Sequence, residues 1–299
     1  MMTLAVTFDK WGINIKIRVP LAAQIRARYG RFLRMENLKA KLFTVWCWTA
    51  CALSTAFWGT VSILSSFVSG SGRLQHFCMY RWSKDNLWLS RAHVQIEGLE
   101  NIDHTRSQML VANHSGLHDI LSLAANLPIQ FRWIAKKSLF GVPFMGWHMR
   151  RSGYIPIDRD NPREMAKSIM AAAKAIQNGT NAIAFPEGTR SKTGELGKFY
   201  SGAFTLALRT GVPVVPISLD GSHRVIVPGT FQVNPGVIIR IKIDRPIDLS
   251  PYTKGDKQQL TNDVFQIMNR NLEELRSRKQ LREEGQDAVF RWIHGANSN

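Results

Sequence analysis

Acidic residues are scarce in this chain, and between residues 42 and 72 charge of either sign is absent altogether. Only 22 Asp and Glu stand against 39 Lys and Arg, for a net charge of +17. So basic a chain does not pair with cationic ligands. It expects an anionic partner: a nucleic acid, an acidic membrane surface or a phosphorylated substrate. Cysteine is equally sparse. Cys47, Cys51 and Cys78 are too few for a disulfide framework and suggest a reducing compartment. They form no C-x-x-C pair, which argues against a structural zinc site. There is no internal repeat and no low-complexity linker. A hydrophobic content of 44% supports a real core and excludes wholesale disorder.

The charge-free stretch runs for 31 residues, from Leu42 to Gly72, and is rich in Trp, Phe and Leu. About 20 apolar residues suffice to span a bilayer. The run is long, starts late and has no small-residue cleavage site, so it does not read as a signal peptide. A buried core helix is the alternative, and the length and tryptophan content speak against it. Ser, Thr and Gly59 dilute the apolarity. Basic residues flank both ends, with Arg34, Lys39 and Lys41 before it and Arg73, Arg81 and Lys84 after it. Cations on both sides fit a helical hairpin that dips into one leaflet and returns better than a single span. Residues 1–41 carry nine basic and two acidic residues. They suit an anionic lipid surface. A disordered basic tail, or an extension upstream of a start at Met35, reads equally well.

From residue 92 onward strands and helices alternate. Val94–Gly98 and Val237–Ile243 alternate apolar and polar residues, as half-buried strands do. Gln108–Ala112, Phe131–Ala135, Tyr154–Ile157 and Ala182–Phe185 read as buried strands. Asn161 and Pro162 form an N-cap and first-turn pair, followed by Met165, Ile169, Ala173 and Ile176 at helical spacing. Val212–Leu219 is apolar and β-branched, but Pro213 and Pro216 forbid a regular central strand throughout. A helix over about 256–280 closes the fold. The pattern predicts an α/β architecture with a mixed, mostly parallel sheet flanked by helices.

The chemistry-bearing residues sit at strand ends, where α/β proteins place their sites. His114 and Asp119 lie between the strand ending at Ala112 and a new apolar stretch. An imidazole held by a carboxylate is a general base for a hydroxyl or amine. Asp158 and Arg159 follow a second strand. Glu187, Gly188 and Arg190 follow a third, in Phe185-Pro-Glu-Gly-Thr-Arg190. Guanidinium groups bind phosphate through paired hydrogen bonds and stay charged at any working pH. Lys136 and Lys137 add cations at a further strand end. Taken singly, each has a plainer reading. His114 and Asp119 suit a helix start, the arginines a surface ion pair and the lysines a solvated pair. His114 and His118 have the spacing of a helical zinc pair, but Ser115 stands where a zinc protease needs Glu. The loop after Phe185 lacks the Gly-Lys-Ser/Thr ending of a P-loop.

Four motifs in order resemble the phospholipid/glycerol acyltransferase family, most closely its bacterial 1-acyl-sn-glycerol-3-phosphate acyltransferases. These are Asn113-His114 with Asp119, the strand ending in Arg159, Phe185–Arg190, and the proline-containing run at 212–217. The resemblance covers roughly residues 92–250. It divides the chain into a basic segment (1–41), a membrane-associated helical region (42–91), an acyltransferase domain (92–285) and a polar tail (286–299). It implies acyl transfer from acyl-CoA or acyl-carrier protein to lysophosphatidic acid, giving phosphatidic acid, without cofactor or metal. In that scheme His114 is the base and Asp119 orients it. Arg159, Arg190 and Lys136 hold the phosphate, with Glu187 and Gly188 beside them, and Pro216 lines a substrate groove. The implied setting is the cytoplasmic face of a bacterial inner membrane, with an anionic lipid surface and no nucleic acid as partner. Another lysolipid acceptor, such as lyso-ornithine lipid, would keep the chemistry. A non-catalytic basic membrane-binding protein would keep only the charge.

Overall fold

The computed structural model describes residues 2–8, 13–19, 21–68, 72–142, 145–158 and 161–295, with side chains described between 37 and 278 apart from Pro162. Arg159, the side chains of the basic segment before residue 37 and those of the expected polar tail lie outside the described residues. Two N-terminal strands, β1 (Met2–Phe8) and β2 (Ile13–Val19), pair antiparallel. The main sheet has seven strands: β3 (His93–Glu97), β4 (Met109–Ala112), β5 (Phe131–Lys136), β6 (Ile155–Ile157), β7 (Asn181–Ala184), β8 (Val214–Asp220) and β9 (Ile238–Ile243). Their order is β3-β9-β8-β4-β7-β5-β6. Strands β4 to β8 run parallel to one another. β9 is antiparallel to β8, and β3 is parallel to β9. The sheet is therefore mixed and mostly parallel, and the C-terminal ends of β4 to β8 share one edge.

Both faces of the sheet are covered, which is why β4 reads as a continuous apolar run. Its Leu110 and Ala112 join one core with Leu121 and Leu123 of α3 (Leu117–Asn126) and Met79 of α2 (Arg73–Leu89). Its Met109 and Val111 join the other core. There they meet Ile176 of α5 (Pro162–Gln177), Phe204 of α6 (Gly202–Thr210) and Met268 of α7 (Lys257–Gly295). Asn161 caps α5 as expected, its side chain accepting from the N–H groups of Arg163 and Glu164. Helix α7 runs past the expected end near 280, through to Gly295.

Leu42–Ser65 of the charge-free run lies in one helix, α1 (Leu21–Ser65), and a return helix, α2, begins at Arg73, the first charge after the run. The irregularity expected from proline takes the form of a bulge within β8. Pro216 lies inside the strand, paired with Val111 of β4 on one side. On the other side Val214 bridges Ile247 while Ile217 pairs with Ile243. Three steps along β8 thus oppose four on its partner, which is a bulge. The Pro216 carbonyl accepts from the Asp244 N–H there. The proline's missing donor falls at this irregularity, where little is lost.

Helix α1 is bonded into the body of the protein. Trp48 Nε1 donates to the Phe231 carbonyl, and Thr44 Oγ1 accepts from the Val233 N–H. Ser62 bonds to His148 Nδ1 of α4 (Met145–Arg151) at 2.7 Å. The remaining surface of α1 is apolar and open: Leu53 is 67% exposed and Phe57 59%. The stretch Asn37–Ser65 is long enough to cross a bilayer, and its most apolar 18-residue window has a mean hydropathy of 1.3 with only 11% of it buried.

Burial pushes His148 down to about 4, and burial together with the nearby Arg132 does the same to His76, which packs edge-on against Phe131. In the unfolded chain a histidine takes its proton near 6.5. Between these values the unfolded state binds more protons and is favoured. Thermal stability is therefore expected to fall as pH drops from about 6.5 to about 4. A series of melting curves checks this, with the loss reduced in His76→Phe or His148→Gln.

Candidate active site

The chain leaves β4 at Ala112 and enters α3 at Leu117, and the four residues between carry the centre of the site. Asn113 fastens the turn to the end of β8. Its Nδ2 donates to the Leu219 carbonyl at 2.9 Å, and its Oδ1 accepts from the Leu219 N–H at 2.7 Å. Asp119, in the first turn of α3, is fully buried. One of its oxygens, Oδ2, accepts three hydrogen bonds: from Ser115 N–H at 2.7 Å, from Gly116 N–H at 2.8 Å and from His114 Nδ1 at 2.9 Å. A carboxylate accepts and does not donate, so the proton of the neutral imidazole sits on Nδ1 and the lone pair on Nε2. The histidine side chain keeps 15% of its surface open.

The rest of His114 is held by the segment after β7. Its ring stacks on Phe185, with centroids 4.1 Å apart and planes inclined by 13°. Phe185 in turn stacks on Trp133. The His114 N–H donates to Glu187 Oε1 at 2.7 Å, and the His114 carbonyl accepts from Ser191 N–H at 2.7 Å. Glu187 Oε2 accepts from Gly197 N–H at 2.8 Å. Burial raises the Glu187 carboxyl, and the two backbone donors oppose that shift. Both oxygens of Glu187 thus serve the protein backbone. Gly188 turns the chain with φ of 70°, a region where a β-carbon is strained.

The structure brings His114, Asp119, Glu187 and Gly188 together and leaves Arg190 exposed on the same loop. Lys136 is exposed at the end of β5, on the same sheet edge. Lys137 pairs with Asp158 at 3.1 Å, and Glu164 lies 3.8 Å away. Arg159 lies outside the described residues. Pro216 stands apart from the others: it is fully buried between β4 and β9, level with Val111, and presents no open surface to a substrate.

A cavity of about 540 Å³ lies between α1, α2 and α3. Cys47, Cys51, Thr55 and Gly59 line it at four-residue intervals along α1, and Leu117 and His118 of α3 close it on the side of the turn. His118 does not join His114 in a ligand pair. Its Nε2 faces Ser90 Oγ at 3.0 Å, and burial pushes it down to about 4. Sequence reasoning missed these α1 residues, although small side chains repeating every fourth position were visible. It also missed the loop 191–197, which bonds to His114 through Ser191 and to Glu187 through Gly197.

Residues 93–220 match the acyltransferase family model. The 1-acyl-sn-glycerol-3-phosphate acyltransferase of Saccharomyces cerevisiae is 30% identical over 226 residues, 73% of each chain. The chain belongs to this family. The chloroplastic 1-acyl-sn-glycerol-3-phosphate acyltransferase of Arabidopsis thaliana is 35% identical over 176 residues, 58% of this chain and 49% of the plant protein. The chain therefore spans about half the length of that relative. The crystal structure of the family member PlsC from Thermotoga maritima superposes with a TM-score of 0.69 at 26% identity, covering 80% of this chain and 97% of the other.

Because the Glu187 oxygens each satisfy a backbone N–H, Glu187→Ala is expected to lower stability by about 1–2 kcal/mol, leaving two part-buried donors without that partner. Chemical denaturation measures this. A variant as stable as the parent would show that the two bonds carry no weight.

Proposed function

We propose that the protein transfers an acyl group from a thioester donor, acyl-CoA or acyl-carrier protein, to the free hydroxyl of lysophosphatidic acid, giving phosphatidic acid. The observation that carries this reading is the His114–Asp119 pair, tautomer set and ring edge open, on a sheet edge that also carries exposed cations. His114 Nε2 takes the proton of the acceptor hydroxyl as its oxygen attacks the thioester carbonyl. Asp119 stabilises the imidazolium that forms. The tetrahedral intermediate then collapses, the carbon–sulfur bond breaks, and the departing thiolate recovers the proton from Nε2. Arg190 and Lys136 supply charge for the acceptor's phosphate, and Arg159 is assigned the same role from its motif position.

The cavity beside α3 receives the acyl chain in this reading. Its lining is predominantly apolar, and residues 47–59 of α1 extend about 18 Å along it. The exposed apolar face of α1 lies in one leaflet of an anionic membrane, with the basic residues at its ends near the headgroups. The family resemblance suggests the cytoplasmic face of a bacterial inner membrane as the setting.

The test is acyl transfer by purified protein in mixed micelles. Lysophosphatidic acid and lyso-ornithine lipid are offered as acceptors, each with acyl-CoA and with acyl-carrier protein. Phosphatidic acid formation that disappears in His114→Ala is the expected result. Asp119→Asn is expected to lower kcat by about 10³- to 10⁴-fold through the wrong tautomer. Arg190→Ala is expected to raise KM for the phosphate-bearing acceptor and leave kcat nearly unchanged. Product from lyso-ornithine lipid alone would replace the acceptor, and no product from any pair would overturn the catalytic reading.

A further inference from the structure

His114 is gripped through its backbone by Glu187 and Ser191, so its placement depends on what steadies the loop from Ser191 to Gly197. Within that loop, local turns are made by Thr193, whose hydroxyl faces Ser191 Oγ and accepts from the Glu195 N–H. Among the described residues, one side chain from outside the loop hydrogen-bonds to the stretch 192–196. That side chain is Arg276 of α7. Its Nη1 reaches both carboxylate oxygens of Glu195 at 2.9 Å, and its Nη2 donates to the Gly194 carbonyl at 2.8 Å. Its Nε lies 3.6 Å from Asp220, the buried last residue of β8. One planar guanidinium therefore ties the loop to the edge of the sheet, a geometry that an ammonium group cannot reproduce.

The opposite side of the loop is fixed by close packing. Gly194 has φ of +83°, and a β-carbon built there would come within 2.6 Å of the His223 ring. The loop thus rests on His223 and is held down by Arg276. Three residues after Gly194, Gly197 N–H enters the Glu187 carboxylate, whose other oxygen takes the His114 N–H.

We propose that Arg276 is a positioning residue for His114, acting through the 194–197 loop and Glu187 rather than by touching substrate. A residue of the helix that closes the fold, 162 positions after the histidine in sequence, thereby sets the geometry of the base. The kinetic part of this proposal rests on His114 being the catalytic base; the structural part does not.

The experiment compares the full-length protein in detergent micelles with Arg276→Ala, Arg276→Lys and Glu195→Gln. Glu195 is largely exposed, so Glu195→Gln tests the same clamp with little risk to folding. Amide hydrogen exchange is expected to rise in the peptide spanning 113–119 of Arg276→Ala, although Arg276 contacts none of those residues. kcat is expected to fall by about 10- to 100-fold while both KM values stay within about twofold, the signature of a displaced catalytic group. Arg276→Lys and Glu195→Gln are expected to fall between the two. Unchanged exchange at 113–119, a KM effect without a kcat effect, or a loss that merely follows the folded fraction would overturn the proposal. If the parent protein acylates no acceptor, the functional reading fails, and the exchange data alone decide the clamp.

Discussion

A single buried oxygen organises the turn on which everything else depends. Asp119 Oδ2 accepts from the imidazole of His114 and from two successive backbone N–H groups. A carboxylate removed from water is costly unless its charge is met by donors. Here the donors are the residues whose conformation must be fixed. The carboxylate also sits in the first turn of α3, where the helix dipole favours negative charge. Helix start, turn and histidine orientation are consequently one event. The turn cannot change shape without exposing the carboxylate, and the histidine cannot rotate without losing it.

What Asp119 does for the ring, the segment after β7 does for the backbone. Glu187 and Ser191 take the N–H and C=O of His114, while Phe185 lies under its ring. Asn113, one residue earlier, is zipped to Leu219 through both polar atoms of its amide. Three parallel strands, β4, β7 and β8, therefore meet at two adjacent residues, Asn113 and His114. Their neighbouring positions in the sheet make this possible, since only adjacent parallel strands deliver their C-terminal loops to the same spot. An imidazole held on all sides but one has little conformational entropy left to lose.

Much of this was legible because the relevant signals are local. Continuous apolar runs located β4 and β7, an apolar stretch interrupted by Arg132 located β5, and the strict alternation of Ile239, Ile241 and Ile243 located β9. The motif residues then followed from the strand ends. What stayed hidden depended on partners far away in sequence. Pro216 reads as a strand breaker until Ile247 is seen opposite Val214, forming the bulge that absorbs it. Glu187 reads as a substrate contact until the N–H groups of His114 and Gly197 are found on its two oxygens. Arg276 is one basic residue among several on a polar helix, and nothing local distinguishes it from Arg278, which reaches Glu97 on the outer strand β3 instead. The Ser and Thr residues and Gly59 of α1 read as a dilution of a membrane helix. Thr55 and Gly59 in fact continue the four-residue spacing of Cys47 and Cys51 along a cavity wall.

That last point bears on how the chain divides. A boundary near residue 91 treats the apolar helix as an anchor attached to a self-sufficient domain. The hydrogen bonds argue otherwise. Thr44, Trp48 and Ser62, spread along α1, bond to residues 233, 231 and 148 of the body. One face of α1 supplies half of a cavity whose other wall is the helix that begins beside His114, while the opposite face remains apolar and open. The same helix therefore has two unlike apolar faces, one lining the cavity and one exposed. Sequence patterning encodes this as small residues on one row and large ones, such as Leu53 and Phe57, on another. Removing α1 would take away one wall of that cavity, so the apolar helix is part of the fold rather than a detachable tether.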